Sequence, residues 1–150
     1  VFNNVTFWAE KNEVNLKRFW EALERAHIAD FIRSLSDGED SLLGNNGILV
    51  SGGQKQRISI ARELYKDIDI LIMDEATSAL DSESEKIIQE NIDSLKGKIT
   101  LIIVAHRLAT IKNVDRVVLL SKGRISGADQ FKNLIESSSA FKRMVELQTF

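Results

Sequence analysis

The sequence contains no cysteine among its 150 residues. This excludes disulfides, thiolate metal ligands and a cysteine nucleophile. The longest apolar run, "ITLIIVA" at residues 99–105, has the length of a strand and is well below the roughly 18 residues that indicate a membrane-spanning helix. The formal net charge is −2, so the chain also lacks the basic excess that favours nucleic-acid binding.

One further absence concerns nucleotide binding. No G-x-x-x-x-G-K-[S/T] loop, the motif that cradles nucleotide phosphates, occurs in the chain. Yet residues 47–63, "GILVSGGQKQRISIARE", have the features of a phosphate-binding helix start. Ser51 and Gln54 form an S-x-x-Q capping box, and the glycines between them allow close approach of an anion to the backbone. A turn followed by an ordinary helix cap is the alternative interpretation.

Hydrophobic periodicity and turn residues predict a helical lobe followed by alternating strands and helices. Residues 1–65 are expected to form the helical lobe, and residues 66–150 an α/β part with a parallel sheet. The strands at 69–74 and 99–105 are continuous apolar runs, which predict burial on both faces. The predicted elements are helices at 14–27, 30–35, 51–65 and 82–95, strands at 69–74, 99–105 and 115–120, and two short C-terminal helices.

Polar side chains follow two of these strands at their carboxyl ends. Asp74 and Glu75 end the strand at 69–74, and His106 follows the strand at 99–105. Ligands of open α/β folds bind at the carboxyl ends of strands, so these side chains converge if the strands are neighbours. Such an aspartate can hold Mg²⁺ through water, the glutamate can activate a water, and the histidine can contact a phosphate. Strand-end acids and a lone histidine are also common without a catalytic role.

Three motifs in a fixed order carry a family resemblance. They are "VSGGQ" at 50–54, "ILIMDEATSALD" at 70–81 and "IIVAHR" at 102–107. The set resembles the signature, the Walker B motif with its D-loop, and the switch histidine of ATP-binding-cassette (ABC) ATPases. "DEATSALD" is similar to the exporter type, while Val50 stands where the signature has leucine. The resemblance covers essentially the whole chain and implies a P-loop NTPase-like parallel sheet, incomplete here, with a helical subdomain on its N-terminal side.

The resemblance also implies a role for each motif residue. Members of the family pair head to tail, with two ATP molecules between them. The implied roles are Mg²⁺ binding through water for Asp74, activation of the attacking water for Glu75, contact with the γ-phosphate for His106 and communication across the dimer for Asp81. The signature residues would contact the nucleotide held by the other subunit; they are Ser51, Gly52, Gly53 and Gln54. ATP and Mg²⁺ are the implied cofactors.

The resemblance further implies two protein partners and a location. The partners are a second nucleotide-binding domain and a transmembrane domain fused upstream in the same polypeptide. Nucleic acid is not an expected partner. ATP hydrolysis would drive transmembrane transport through closure of the dimer. The expected location is the cytoplasmic face of a membrane, which in a bacterium is the inner or plasma membrane.

In the family, the Walker A loop and the Q-loop precede the position that matches Val1. We therefore expect the chain to be a C-terminal fragment, roughly the last two-thirds of a nucleotide-binding domain, that is inactive alone. Two alternatives stay open. One is an ABC-type ATPase of DNA repair or chromosome structure, which would carry a long coiled coil. The other is a truncated module that docks a partner and does not hydrolyse ATP.

Overall fold

The computed structural model describes residues 1–44, 49–74, 82–105 and 108–148. Glu75, Asp81 and His106, to which the sequence assigns roles, lie outside these ranges. Within the described ranges, no helix combines the length and the apolar character needed to cross a bilayer.

The described chain is a mixed α/β structure, as the sequence predicts. Its predicted helices are confirmed to within two residues at each end, whereas α1 and α6 were not predicted. The elements are α1 (Phe2–Thr6), α2 (Glu13–Arg25), α3 (Ala29–Ser34), a 3₁₀ turn (Gly38–Asp40), α4 (Gly52–Tyr65), β1 (Ile70–Asp74), α5 (Ser82–Leu95), β2 (Thr100–Val104), α6 (Leu108–Ile111), β3 (Val117–Ser121), β4 (Arg124–Asp129), α7 (Phe131–Ser137) and α8 (Ser139–Gln148).

Residues Val1–Ile102 form the first of two compact units. Helix α2 begins where the side chain of Asn12 accepts a hydrogen bond from the Asn15 backbone N–H at 2.9 Å. Its apolar face buries Phe19 and Leu23, and α4 packs against both α1 and α2. Burial of these large side chains stabilises the lobe by about 1.5–3 kcal/mol each.

Strands β1 and β2 pair in a two-stranded parallel sheet. The prediction that both strands are fully buried is wrong. Leu71 and Met73 are buried, but Ile70 is 55% and Ile72 66% exposed, and Ile102 and Val104 of β2 are each 48% exposed. Successive side chains of a strand point to opposite faces, and only one face of β1 is covered in the described chain.

Strand β3 was predicted as a further member of the parallel sheet. In the described residues it pairs antiparallel with β4, which was not predicted. The connection is the two-residue turn of Lys122 and Gly123, whose φ angles are 49° and 73°. Two consecutive positive φ values are typical of a type I′ turn, whose twist matches that of a hairpin.

Residues Ile103–Phe150 form the second compact unit. Its core contains Val117, Leu134 and Phe141, and the ring of Phe131 meets that of Phe141 edge-on at 5.4 Å between centroids. Strand β4 lies so close to α7 that a Cβ atom at Gly127 would stand 3.1 Å from the Leu134 side chain. Glycine therefore permits the close approach of hairpin and helix.

Candidate functional site

The N-terminus of α4 carries the most specific local geometry predicted from the sequence. Ser51 has an extended backbone, and its hydroxyl accepts a hydrogen bond from the Gln54 backbone N–H at 3.2 Å. The side-chain oxygen of Gln54 accepts in return from the Ser51 backbone N–H at 2.9 Å. The predicted capping box is confirmed.

The capping box leaves part of the helix end available to an anion. The first backbone N–H groups of an α-helix have no acceptor inside the helix, and the box satisfies only those of Ser51 and Gln54. Gly52 is exposed and Gly53 is buried. Gly52 has no side chain of its own to hinder an anion, and the helix dipole adds positive potential there. The residues present therefore fit a phosphate group, although the anion contact itself stays a prediction.

Replacing Ser51 by alanine tests the capping box. We expect the free energy of unfolding to fall by about 1 kcal/mol, because the Gln54 N–H loses its acceptor. Urea unfolding monitored by circular dichroism measures the change. The matched control is Ser59→Ala on the same helix, where the hydroxyl donates to the Lys55 carbonyl at 3.1 Å. That variant should change the free energy by less than about 0.5 kcal/mol, and equal losses in the two variants would contradict a capping role for Ser51.

The second predicted element of the site is Asp74. It is the last residue of β1 and is exposed, so its carboxylate stands at the carboxyl end of the sheet. Among the residues that the structure describes, no group of three or more His, Cys, Asp or Glu side chains could hold a metal ion. A single carboxylate nevertheless fits Mg²⁺, which usually keeps several waters and takes one or two protein carboxylates. The convergence of Asp74 with Glu75 and His106 stays a prediction.

A cleft of about 350 Å³ lies along α4. Arg62 of α4 lines this cleft; it is partly buried and donates to the Asn4 side-chain oxygen at 2.6 Å. The cleft lies within the first compact unit. Its lining includes Asn4, Leu43, Val50, Lys55, Ile58 and Arg62.

Two residues that the sequence did not single out hold α4 and α5 against the end of α2. Arg57 of α4 donates to the His27 carbonyl at 2.8 Å, and Asn91 of α5 donates to the Ala26 carbonyl at 3.0 Å. Asn91 is fully buried at 0% exposure. A polar amide on the apolar stripe of α5, one residue before Ile92, is the signal that could have identified it.

Comparison with known proteins shows which family the chain belongs to. A sequence profile described as ABC transporter matches residues 1–78, or 78 of the 150 residues. The chain is 43% identical over 146 residues to an "ATP-dependent lipid A-core flippase" of Francisella tularensis, covering 97% of this chain and 24% of that protein. A flippase of the same name from Shewanella oneidensis is 43% identical over 148 residues, with 99% and 24% covered.

A solved structure agrees with the sequence relatives. It is described as the structure of a bacterial Atm1-family ABC exporter with ATP bound. It superimposes with a TM-score of 0.84 at 34% identity, covering 99% of this chain and 26% of that one. The chain spans about a quarter of the length of the relatives that it matches. The chain therefore belongs to the ABC transporter family, and its α/β fold and the capped, glycine-containing helix α4 agree with this assignment.

Proposed function

We propose that the chain provides the signature helix and the Walker B strand of an exporter-type nucleotide-binding domain. In the parent protein, ATP binding closes a head-to-tail dimer of these domains, and hydrolysis reopens it. The cycle drives transmembrane transport. The observation that carries the proposal is the capped N-terminus of α4, with exposed Gly52 between Ser51 and Gly53, in a chain of the ABC transporter family.

The signature residues act on the nucleotide of the other subunit. The backbone N–H groups of Gly52 and Gly53 and the hydroxyl of Ser51 stand where the helix dipole favours a γ-phosphate. The hydroxyl can donate its hydrogen to the phosphate while its oxygen still accepts from the Gln54 N–H. Because this contact forms only between subunits, ATP stabilises the closed dimer and loss of the γ-phosphate weakens it.

The strand-end residues act on the nucleotide of their own subunit. Glu75 orients the attacking water and accepts its proton. His106 contacts the γ-phosphate, and Asp81 connects the two halves of the dimer. Asp74 would hold Mg²⁺ through water, and the ion would neutralise phosphate charge when bound. All four residues carry these roles as positions of the family motifs.

Residues 1–65 are proposed as the helical subdomain and signature helix, and residues 66–150 as the C-terminal part of the catalytic core. The partners are a second nucleotide-binding domain and a transmembrane domain of the same polypeptide, which place the chain at the cytoplasmic face of a membrane. The helical subdomain receives contacts from the transmembrane domain and transmits closure to it. The name lipid A-core flippase stays with the relatives, because the transmembrane domain selects the substrate.

The described helices favour this proposal over an ATPase of DNA repair or chromosome structure. Helices α2 and α3, which precede the signature, have 13 and 6 residues and pack against each other in a compact lobe. A coiled coil that separates two nucleotide-binding halves would need sustained heptads over much longer helices.

We propose that the 150 residues do not bind ATP productively by themselves, because they contain no Walker A loop. Calorimetric titration of the isolated chain with Mg-ATP should show no dissociation constant below about 1 mM, which corresponds to a binding free energy of roughly −4 kcal/mol. The N-terminus of α4 with Ser51, Gly52 and Gly53, which we call the signature terminus, offers only a part of the phosphate contacts by itself. Micromolar affinity in this titration would contradict the proposal.

A further inference from the structure

The C-terminal end of α2 is a junction of three helices. The chain turns at His27, which has a φ of 50°, and the carbonyls of Ala26 and His27 follow one another there. Arg57 of α4 donates to the His27 carbonyl at 2.8 Å, and Asn91 of α5 donates to the Ala26 carbonyl at 3.0 Å. We call these four residues the α2 junction. Two consecutive carbonyls of one helix end thus anchor two different helices.

Arg57 also reaches the first turn of its own helix. Its Nε atom donates to the Gly53 carbonyl at 3.4 Å while its Nη1 atom donates to the His27 carbonyl. Burial lowers the pKa of Arg57, yet a guanidinium stays charged at neutral pH. Its planar fork of five donors can serve two carbonyls at once, which a lysine ammonium on a flexible stem does less well.

Burial of the Asn91 side chain is energetically unfavourable. It is 0% exposed, and among the described residues its side-chain oxygen has no hydrogen-bond partner. A buried acceptor without a partner costs about 1–3 kcal/mol. Its amide nitrogen, however, makes the contact with the Ala26 carbonyl that fixes α5 to the end of α2. We therefore interpret the buried Asn91 as a residue that positions α5 and not as one that stabilises the core.

We propose that the α2 junction positions the signature terminus for the γ-phosphate of the partner-bound ATP, with Arg57 and Asn91 as positioning residues. This inference rests on the proposed function. Arg57 holds the turn that contains Gly53, and Asn91 holds α5, which begins directly after the proposed motif residues 75–81. Both helices that adjoin the proposed motifs are therefore fixed to the same pair of carbonyls.

The test uses the full-length parent protein carrying Glu75→Gln, in which the ATP-bound dimer accumulates. Arg57→Gln is expected to raise the ATP concentration for half-maximal dimer closure about tenfold, as loss of a charged hydrogen bond predicts. Closure is measured by cross-linking between subunits. Binding of a fluorescent ATP analogue to the open state should not change, because the signature contributes only to the closed state.

The matched control is Arg62→Gln on the same helix. Arg62 is also partly buried and donates to a residue distant in sequence, the Asn4 side chain at 2.6 Å, but it lies more than two turns from Gly53. The Arg62→Gln variant should have a lower melting temperature but an unchanged ATP concentration for half-maximal dimer closure. Arg57→Lys, which keeps the charge but not the fork, should give an intermediate shift.

The double variant Arg57→Gln with Asn91→Leu examines the junction as a unit. Each single substitution is expected to raise the ATP concentration for half-maximal closure about tenfold, and the pair by clearly less than a hundredfold, because the two side chains bond to neighbouring carbonyls of one helix end and are coupled through it. Equal shifts for Arg57→Gln and Arg62→Gln, or a lowered melting temperature with unchanged closure for Arg57→Gln, would overturn the positioning role alone. If the Glu75→Gln parent forms no ATP-dependent dimer, the proposed function and this inference both fail.

Discussion

Replacing Glu75 by glutamine is expected to lower ATP turnover by the full-length parent at least about 100-fold, within the range that general-base catalysis contributes. Glu75 follows Asp74 at the carboxyl end of β1. A carboxylate in this place can accept the proton of the attacking water, whereas the amide of glutamine cannot do so at neutral pH. Steady-state phosphate release measures the loss.

The same variant should favour the ATP-bound closed dimer. Glutamine has the size of glutamate and would remove one negative charge at the proposed nucleotide site, so we expect ATP binding to be retained while its hydrolysis is slowed. Cross-linking in the presence of ATP should therefore trap more dimer than in the wild type. Glu90→Gln is the matched control, because Glu90 is an exposed residue of α5. Turnover near wild type for Glu75→Gln would place the base elsewhere.

Replacing Gly52 by aspartate is expected to abolish ATP-driven closure without unfolding the protein. Gly52 is the exposed first residue of α4. An aspartate there interacts favourably with the helix dipole and should leave the free energy of unfolding unchanged or raise it by about 0.3–1 kcal/mol. The same carboxylate would face the γ-phosphate at close range and weaken the contact by ~100-fold or more, since like charges a few ångströms apart repel by several kcal/mol.

Gly52→Asn separates the effect of charge from that of size. Asparagine adds nearly the same volume as aspartate but no charge, so it should impair closure less. The difference between the two variants should shrink as salt is added, because exposed charges are screened over about 10 Å at 0.1 M. Phosphate release and urea unfolding are measured on the same samples. Equal turnover for Gly52→Asp and the wild type would contradict an anion site at this helix end.

The sequence predicted most of what local chemistry determines. The capping box of Ser51 and Gln54 needs only a spacing of three residues, and it forms as predicted. The amphipathic helix α2 and the strand β1 follow from hydrophobic periodicity in the same way. The motif residues of the candidate site were also proposed from their order along the chain, and their roles stay a prediction.

Features that depend on distant residues were not predicted. The pattern of β1 and β2 indicates burial on both faces, but burial depends on what packs against each face, and one face of β1 is exposed in the described chain. Strand β4 was missed because "RISGAD" has little apolar alternation and is specified by its pairing with β3. The α2 junction joins residues 65 positions apart in sequence at its longest contact, which no local pattern reveals.

The central claim is that the signature terminus acts on the ATP of the other subunit. Two differently tagged copies of the parent, one with Gly52→Asp and one with Glu75→Gln, are co-expressed and the mixed dimer is purified through both tags. If the signature acts between subunits, one site of the mixed dimer combines an intact signature with an intact Glu75. The mixed dimer should then hydrolyse ATP although neither parental homodimer does. A mixed dimer as inactive as both homodimers would contradict the claim.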